Sequence, residues 1–274
     1  MEQMLKNKVA IITGSGRGIG KAAAVMLAKA GAKVVVSDID PEPAKETVSE
    51  IQQAGGEAVS YIGDVTGDDF AHKIITTAGE KWGAIHIVIN NAGFTWDSMI
   101  HKMTDKQWDA IMNLHLKAPF RIIRAAKPWF CDAAKKEIEQ TGKAVARKII
   151  NITSISGTTG NAGQANYSAA KSGMIGLTKT MSKEWGRYNV QCNAIAFGAI
   201  NTRLSAPKEE GASMEKDGEV ISLGIPKQIR EIATMMIPLG RLGTPQEAAG
   251  SIFFLASPLS DYVSGEVLTV SGGL

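Results

Sequence analysis

Four apolar residues, Val9 to Ile12, run directly into Thr13-Gly14-Ser15-Gly16-Arg17-Gly18-Ile19-Gly20, and Ile19 to Ala30 continues as a helix-forming stretch. A short, uniformly hydrophobic run of this kind reads as a strand buried on both faces, as in a parallel sheet. The glycines permit a tight turn after that strand, and they let backbone N–H groups at a helix N-terminus approach a pyrophosphate. Residues 14 to 20 are therefore the candidate phosphate-binding loop. The glycines fall at 14, 16, 18 and 20, so the common dinucleotide spacing G-x-G-x-x-G is not present.

The same alternation recurs along the chain. Lys33–Ser37, Ala58–Ile62, Ala84–Ile89, Lys148–Ile152, Val190–Ile195 and Val267–Val270 are further strand-like runs separated by helical stretches. With the first they predict a Rossmann-type, doubly wound parallel sheet of about seven strands with helices on both faces. No Pro- or Ser-rich linker divides the 274 residues, so one domain, 1–274, is expected. The 30 Lys and Arg against 27 Asp and Glu give a net charge of +3 without a block of either sign, which does not indicate nucleic acid as a partner. Cys131 and Cys192 form no C-x-x-C, and the N-terminal MEQMLKNK does not read as a secretory leader; a reduced, cytoplasmic setting is expected. His72, His86, His101 and His115 show no ligand spacing, so no metal is expected, and no apolar run reaches the roughly 18 residues that a membrane span needs.

Two features carry chemistry. Asp38 ends the second strand, where a carboxylate accepts hydrogen bonds from ribose hydroxyls and repels a 2′-phosphate; it favours NAD over NADP, against Arg17 as a counter-signal. Tyr167 and Lys171 are four apart in a helical stretch and so share a face, while Ser154 follows the strand that ends at Ile152. A free tyrosine ionises near pH 10, and acting as a base near pH 7 requires about 4 kcal/mol of differential stabilisation of the phenolate. A neighbouring ammonium supplies much of that. Thr104 to Gln107 and Thr244 to Glu247 have the form of capping boxes, and Thr66 or Asp68 is placed to cap the helix that ends near Trp82.

In order along the chain, T-G-x-x-x-G-x-G (Thr13 to Gly20), Asp64-Val65, N-N-A-G (Asn90 to Gly93), Asn113, Ser154, Tyr167-x-x-x-Lys171 and a C-terminal Gly-Gly resemble the short-chain dehydrogenase/reductase family. The resemblance covers nearly the whole chain. It implies hydride transfer between a nicotinamide and a secondary alcohol or ketone, with Ser154, Tyr167 and Lys171 catalytic and Asn113 anchoring a proton-relay water through its backbone. It implies cofactor contacts from Asp64, Val65, Asn91, Ala92, Gly93, Tyr167, Lys171, Ile200 and Thr202, with Asn90 steadying the sheet. Phe197-Gly198 stands where most relatives have Pro-Gly. The segment 203–239 is placed as a substrate lid in which Ile221, Leu223, Ile225, Met235, Met236 and Ile237 either line a pocket or pack the lid onto the body. Met174, Leu177 and Met181 suit the subunit contact of a homo-oligomer, tetramer or dimer. The segment 130–147, longer than usual, either extends a helix or forms a surface excursion.

The nearest resemblance, through GQANYSAAK and Pro238-Leu-Gly-Arg-Leu-Gly243, is to 3-oxoacyl thioester reductases. A 3-hydroxyacyl or 3-oxoacyl thioester, or a similar catabolic hydroxy compound, is the implied small-molecule substrate. A hydroxysteroid or cyclic alcohol is the alternative, and a non-catalytic partner subunit is the alternative of another class.

Overall fold

The computed structural model describes residues 3–216 and 218–274; Met1 and Glu2 of the N-terminal segment and Asp217 of segment 203–239 lie outside them. In chain order the elements are β1 (Val9–Thr13), α1 (Gly18–Lys29), β2 (Lys33–Asp38), α2 (Pro41–Gln53), β3 (Glu57–Ile62), α3 (Phe70–Trp82) and β4 (Ile87–Asn90). After these come α4 (Asp105–Met112), α5 (Ala118–Ala125), α6 (Ala133–Thr141), β5 (Arg147–Ser154), the short α7 (Ser156–Thr159), α8 (Ala165–Trp185) and β6 (Val190–Phe197). The remainder is β7 (Ser213–Lys216), β8 (Glu219–Ser222), α9 (Lys227–Met236), α10 (Pro245–Ala256) and β9 (Val267–Val270).

Seven strands form one parallel sheet in the order β3-β2-β1-β4-β5-β6-β9. The order reverses between β1 and β4, and ligand sites of such sheets lie beyond the strand C-termini at that reversal. Successive residues of each strand serve opposite layers. Ile12, Val34, Val36 and Ile89 pack under α1, α2 and α10, whereas Ile11, Val35 and Val88 pack under α3, α4, α5 and α8. Both faces are covered, which is why the strands read as continuous apolar runs.

Both predicted capping boxes form, at Thr104–Gln107 and Thr244–Glu247. At the second, Glu247 N–H donates to Thr244 Oγ1 at 3.2 Å while Glu247 Oε2 accepts from Thr244 N–H at 2.8 Å. Thr244→Ala is expected to cost about 1 kcal/mol and to lower Tm by roughly 2–4 °C in a melting scan.

The expected cap of α3 is corrected. Neither Thr66 nor Asp68 caps it; the N-cap position is Asp69, without a side-chain cap. A turn closed by Gly67 N–H on Asp64 O delays the helix, and Thr66 turns back to donate from its N–H and its hydroxyl to Asp64 Oδ1, at 2.8 and 2.7 Å. Asp68 instead pairs with Arg121. The proposed subunit-contact side of α8 is also corrected, because Met174 and Met181 are buried within the chain and Leu177 packs against the core cluster that includes Met181. That side of the helix faces its own sheet. The segment 130–147 extends a helix: a π turn over Pro128–Asp132 leads into α6. Among the described residues no helix is long and apolar enough to cross a membrane.

Candidate active site

A cleft of about 540 Å³ opens at the C-terminal ends of the central strands. Gly14, Arg17, Gly18, Ile19, Gly20, Asp38, Asp64, Val65, Asn91, Ala92, Gly93, Ser154, Tyr167, Lys171, Ile200 and Thr202 line it. Ser15, Gly16 and Asn113 do not. Ser15 is wholly buried, its hydroxyl donating to Ile12 O at 2.7 Å and accepting from Ser37 N–H at 3.0 Å, so it ties the loop to β1 and β2. Gly16 acts on Asp38: its N–H donates to Asp38 Oδ2 at 2.9 Å, and Asp40 N–H donates to Oδ1 at 3.2 Å. These bonds hold the carboxylate at the cleft wall. Arg17 is hydrogen-bonded to Asp40 as an ion pair on the rim.

The loop glycines are required by close approach. A Cβ on Gly14, whose φ is +62°, would lie 2.7 Å from Ala92 Cα, and one on Gly20 would lie 2.2 Å from Gly14 O. Asn91 Nδ2 donates to Thr13 O and Gly14 O at 2.9 Å each, and Thr13 Oγ1 accepts from Asn91 and Ala92 N–H groups. Behind this, Asn90 Nδ2 donates to Asn151 Oδ1 at 2.8 Å and Asn151 Nδ2 to Thr178 Oγ1 at 2.9 Å, which links β4, β5 and α8 through the core. The cradle fits a dinucleotide. It offers glycine backbone and the N-terminus of a twelve-residue helix for phosphates, and a fixed carboxylate for a ribose.

Ser154 closes β5, and Tyr167 and Lys171 project from α8 into the same wall. Thr153 Oγ1 donates to Lys171 O at 2.7 Å and fixes the helix to the strand. Lys171 Nζ donates to Ile152 O at 2.7 Å and stands 5.5 Å from the Tyr167 ring centroid. Three groups of different acidity therefore do converge, but the expected electrostatics need correction. Burial pushes the Tyr167 phenol up to about 12, a hydrogen bond with Ser154 offsetting part of it and the Asp97 charge adding to it. Burial also pushes Lys171 down to about 7. Both sit in one low-dielectric wall, and a cation driven toward neutrality has less charge to lend its neighbour. With the protein's own groups alone, the phenol keeps its proton at neutral pH.

Asn113, whose expected part is played by its backbone carbonyl, stands at the C-terminal end of α4. α4 ends at Met112, and Asn113–Lys117 form a π turn in which the Asn113 carbonyl accepts from Ala118 N–H. Leu114 and His115 of that turn line the cleft. His115 packs edge-on against Tyr167 with centroids 5.0 Å apart. Sequence reasoning also missed Asp97 and Gln164, where Gln164 Nε2 donates to Asp97 Oδ2 at 3.0 Å and Gln164 Oε1 accepts from Ser156 Oγ and Asn161 Nδ2. Burial raises the Asp97 carboxyl. Gln164, three residues before Tyr167, was the available signal.

Segment 203–239 divides between its two expected roles. Ile225 lines the cleft with Leu204, Met214 and Ala233, whereas Ile221, Leu223 and Ile237 are buried. Met235 and Met236 do neither, being 81% and 68% exposed. The antiparallel hairpin β7–β8 in this segment has no counterpart among the predicted strands. Phe197 is buried at the end of β6, and Gly198 follows where a Cβ would lie 2.8 Å from Ser271 Cα. Among the described residues no three His, Cys, Asp or Glu side chains group as metal ligands.

The chain is similar to known proteins over nearly its whole length. The family profile described as enoyl-(acyl carrier protein) reductase matches residues 14–274. The chain is 37% identical over 270 residues to the 3-oxoacyl-(acyl-carrier-protein) reductase FabG of Thermotoga maritima, covering 98% of each chain. It is 38% identical over 272 residues to the 3-oxoacyl-(acyl-carrier-protein) reductase of a Synechocystis species, again covering 98% of each. To the FabG enzyme of Chlamydia muridarum it is 34% identical over 275 residues, with both chains fully covered.

Proposed function

The chain belongs to the short-chain dehydrogenase/reductase family, and from that premise we propose that it interconverts 3-hydroxyacyl and 3-oxoacyl thioesters with NAD as its preferred redox cofactor. Membership makes it an oxidoreductase acting on CH–OH groups. The thioester is supported by the names of its full-length relatives. The observation that carries the site assignment is the convergence of Ser154, Tyr167 and Lys171 on one wall of the cleft that the glycine loop enters.

The nicotinamide of a bound cofactor would supply the hydride acceptor or donor. Gly14 and Arg17 to Gly20 would hold its phosphates, Asp38 its adenosine ribose, and Ile200 and Thr202 its nicotinamide and pyrophosphate. Ser154 hydrogen-bonds the substrate oxygen and Tyr167 moves the proton at that oxygen. A phenol that stays protonated at neutral pH is the donor that ketone reduction needs, and oxidation draws on its phenolate form. Lys171, freed of part of its charge by burial, lies behind Tyr167 as its proton partner. Segment 203–239 covers the acyl side as a lid, with Ile225 and Met214 against the substrate.

Asp38 supports NAD, since a 2′-phosphate would be brought against a carboxylate already oriented by Gly16 and Asp40. The counter-signal weakens because Arg17 is paired with Asp40. Initial rates with acetoacetyl-CoA, comparing NADH with NADPH at equal concentration, test both halves. Turnover is expected, faster with NADH, and Asp38→Ala is expected to cut the NADH preference at least tenfold in kcat/KM. An unchanged ratio in that variant overturns the cofactor reading. Binding of NADH without turnover of the thioester overturns the substrate reading and directs the search to hydroxysteroids and cyclic alcohols.

A further inference from the structure

Arg203 lines the cleft, and no role has yet fallen to it. It belongs to a turn that is held from several directions. Ser205 Oγ donates to Ile200 O at 2.5 Å and accepts from Thr202 N–H at 2.9 Å, and Asn201 N–H donates to Gly243 O at 2.8 Å. From α9, Arg230 Nε donates to Ser205 O at 2.9 Å and its Nη2 to Asn201 Oδ1 at 3.0 Å. That helix turns its polar side inward to do so, leaving Ile229 and Ile232 exposed while Arg230 and Thr234 are half-buried. The turn also stands against the glycine loop, since a Cβ on Gly18 would lie 3.5 Å from Thr202 Cγ2. Arg203 is thus presented beside the phosphate cradle by a rigid support.

The charges around it make that placement telling. Asp38, Asp40, Asp64 and Asp97 line the same cleft, an acid-rich wall for a ligand that brings phosphates. Against them stand Arg17, which is paired with Asp40, and Lys171, which burial drives toward neutrality. A guanidinium stays charged at any working pH. Among the described residues Arg203 has no carboxylate, carbonyl or aromatic ring as its partner, so it is the one lasting cation of the cleft lining that no anion has taken.

We propose that Arg203 is a phosphate-binding residue of the cleft, its guanidinium donating to the oxygens of a phosphate group carried in by a ligand. The planar fork suits two oxygens of one phosphate, which a single lysine ammonium matches less well. The inference rests on the reading of the cleft as a dinucleotide and thioester site. That reading brings phosphate from two sources, the pyrophosphate of the cofactor and the phosphates of a coenzyme A arm, and the chemistry of recognition is the same for both.

Arg203→Gln removes the charge and the fork, and Arg203→Lys keeps the charge alone. Three ligands separate the sources: NADH, by fluorescence titration, and acetoacetyl-CoA and the phosphate-free acetoacetyl-N-acetylcysteamine, by KM. The Gln variant is expected to bind a phosphate-bearing ligand about 10-fold more weakly, with Tm unchanged because the side chain has no partner within the described protein. A raised Kd for NADH assigns Arg203 to the cofactor. A raised KM for acetoacetyl-CoA, with that of the N-acetylcysteamine thioester unchanged, assigns it to the substrate arm. The Lys variant is expected to fall between Gln and wild type. Raising the salt from about 0.1 M to about 1 M shortens the screening length from about 10 Å to about 3 Å and is expected to shrink the difference between Gln and wild type. NADH and acetoacetyl-CoA both within twofold of wild type overturn the proposal. So does a KM rise shared equally by the phosphate-free thioester with NADH affinity unchanged, or a weakening that salt leaves untouched. If the wild-type protein turns over neither thioester, the proposed substrate fails by itself, and the NADH titration alone then decides on Arg203, a Kd within twofold of wild type overturning its role.

Discussion

Tyr167→Phe is expected to lower kcat for acetoacetyl-CoA reduction by about 1000-fold, within the range that general acid catalysis contributes, while NADH binds with unchanged affinity. The variant removes a single oxygen. The ring keeps its edge contact with His115 and its place in the core beside α8, so the fold has no reason to respond. What disappears is the phenol that, among the described residues, the cleft wall holds alone, whose proton is retained at neutral pH by burial and so is available to a developing alkoxide. Ser154 cannot replace it, because a hydroxyl hydrogen-bonded to the substrate oxygen orients that oxygen without an acidity near the required range. Steady-state kinetics together with fluorescence titration of NADH separate the two quantities. A kcat within tenfold of wild type would remove Tyr167 from the proton transfer, and a parallel loss of NADH affinity would recast it as a cofactor-binding group.

Much of this site is legible in the sequence for a definable reason. Glycines that need positive φ or close backbone approach, strands buried on both faces and a pair at helical spacing are local constraints, and each leaves a local signature. Gly14 and Gly20 announced the loop because no other residue fits against Ala92 and Gly14 O. Asp38 announced itself by its place at a strand end, and the two threonine capping boxes by their spacing.

What escaped is non-local. The π turn after α4 carries Leu114 and His115 of the cleft lining, and nothing in Asn113-Leu114-His115-Leu116-Lys117 marks such a turn. The apolar residues of α8 have the same periodicity whether they face a sheet or a second subunit; only the packed structure assigns Met174 and Met181 to the interior. Segment 203–239 shows the same limit. Met235 and Ile221 are alike as sequence, yet one is outside and the other inside. The acidities were the least legible of all. Helical spacing placed Lys171 beside Tyr167 correctly, but the direction of both shifts is set by how dry the wall is.

That dryness makes a second large effect expected, on stability. Lys171→Met should abolish turnover and at the same time raise Tm at pH 6, in a manner that vanishes toward pH 10. In the unfolded chain the lysine ionises near 10.5, and in the cleft wall near 7. Below pH 7 it is protonated in both states, and the folded state carries the whole cost of a buried cation, at most about 5 kcal/mol from that difference. Between pH 7 and 10.5 the unfolded chain holds a proton that the folded chain has released, so stability rises with pH through this window. Methionine has no such proton and its curve is flat there. The substitution forfeits the bond to Ile152 O, worth about 1 kcal/mol, which leaves a gain of several degrees at acidic pH at roughly 2–4 °C per kcal/mol. Thermal melts of both proteins from pH 6 to 10 check this. Parallel curves would mean that the lysine is solvated and ionises normally, and a methionine variant less stable at pH 6 would mean that the ammonium is well satisfied where it lies. The expected crossing curves would show a residue retained against folding stability, as functional sites often require, because the proton it gives up near neutrality is the one the tyrosine needs.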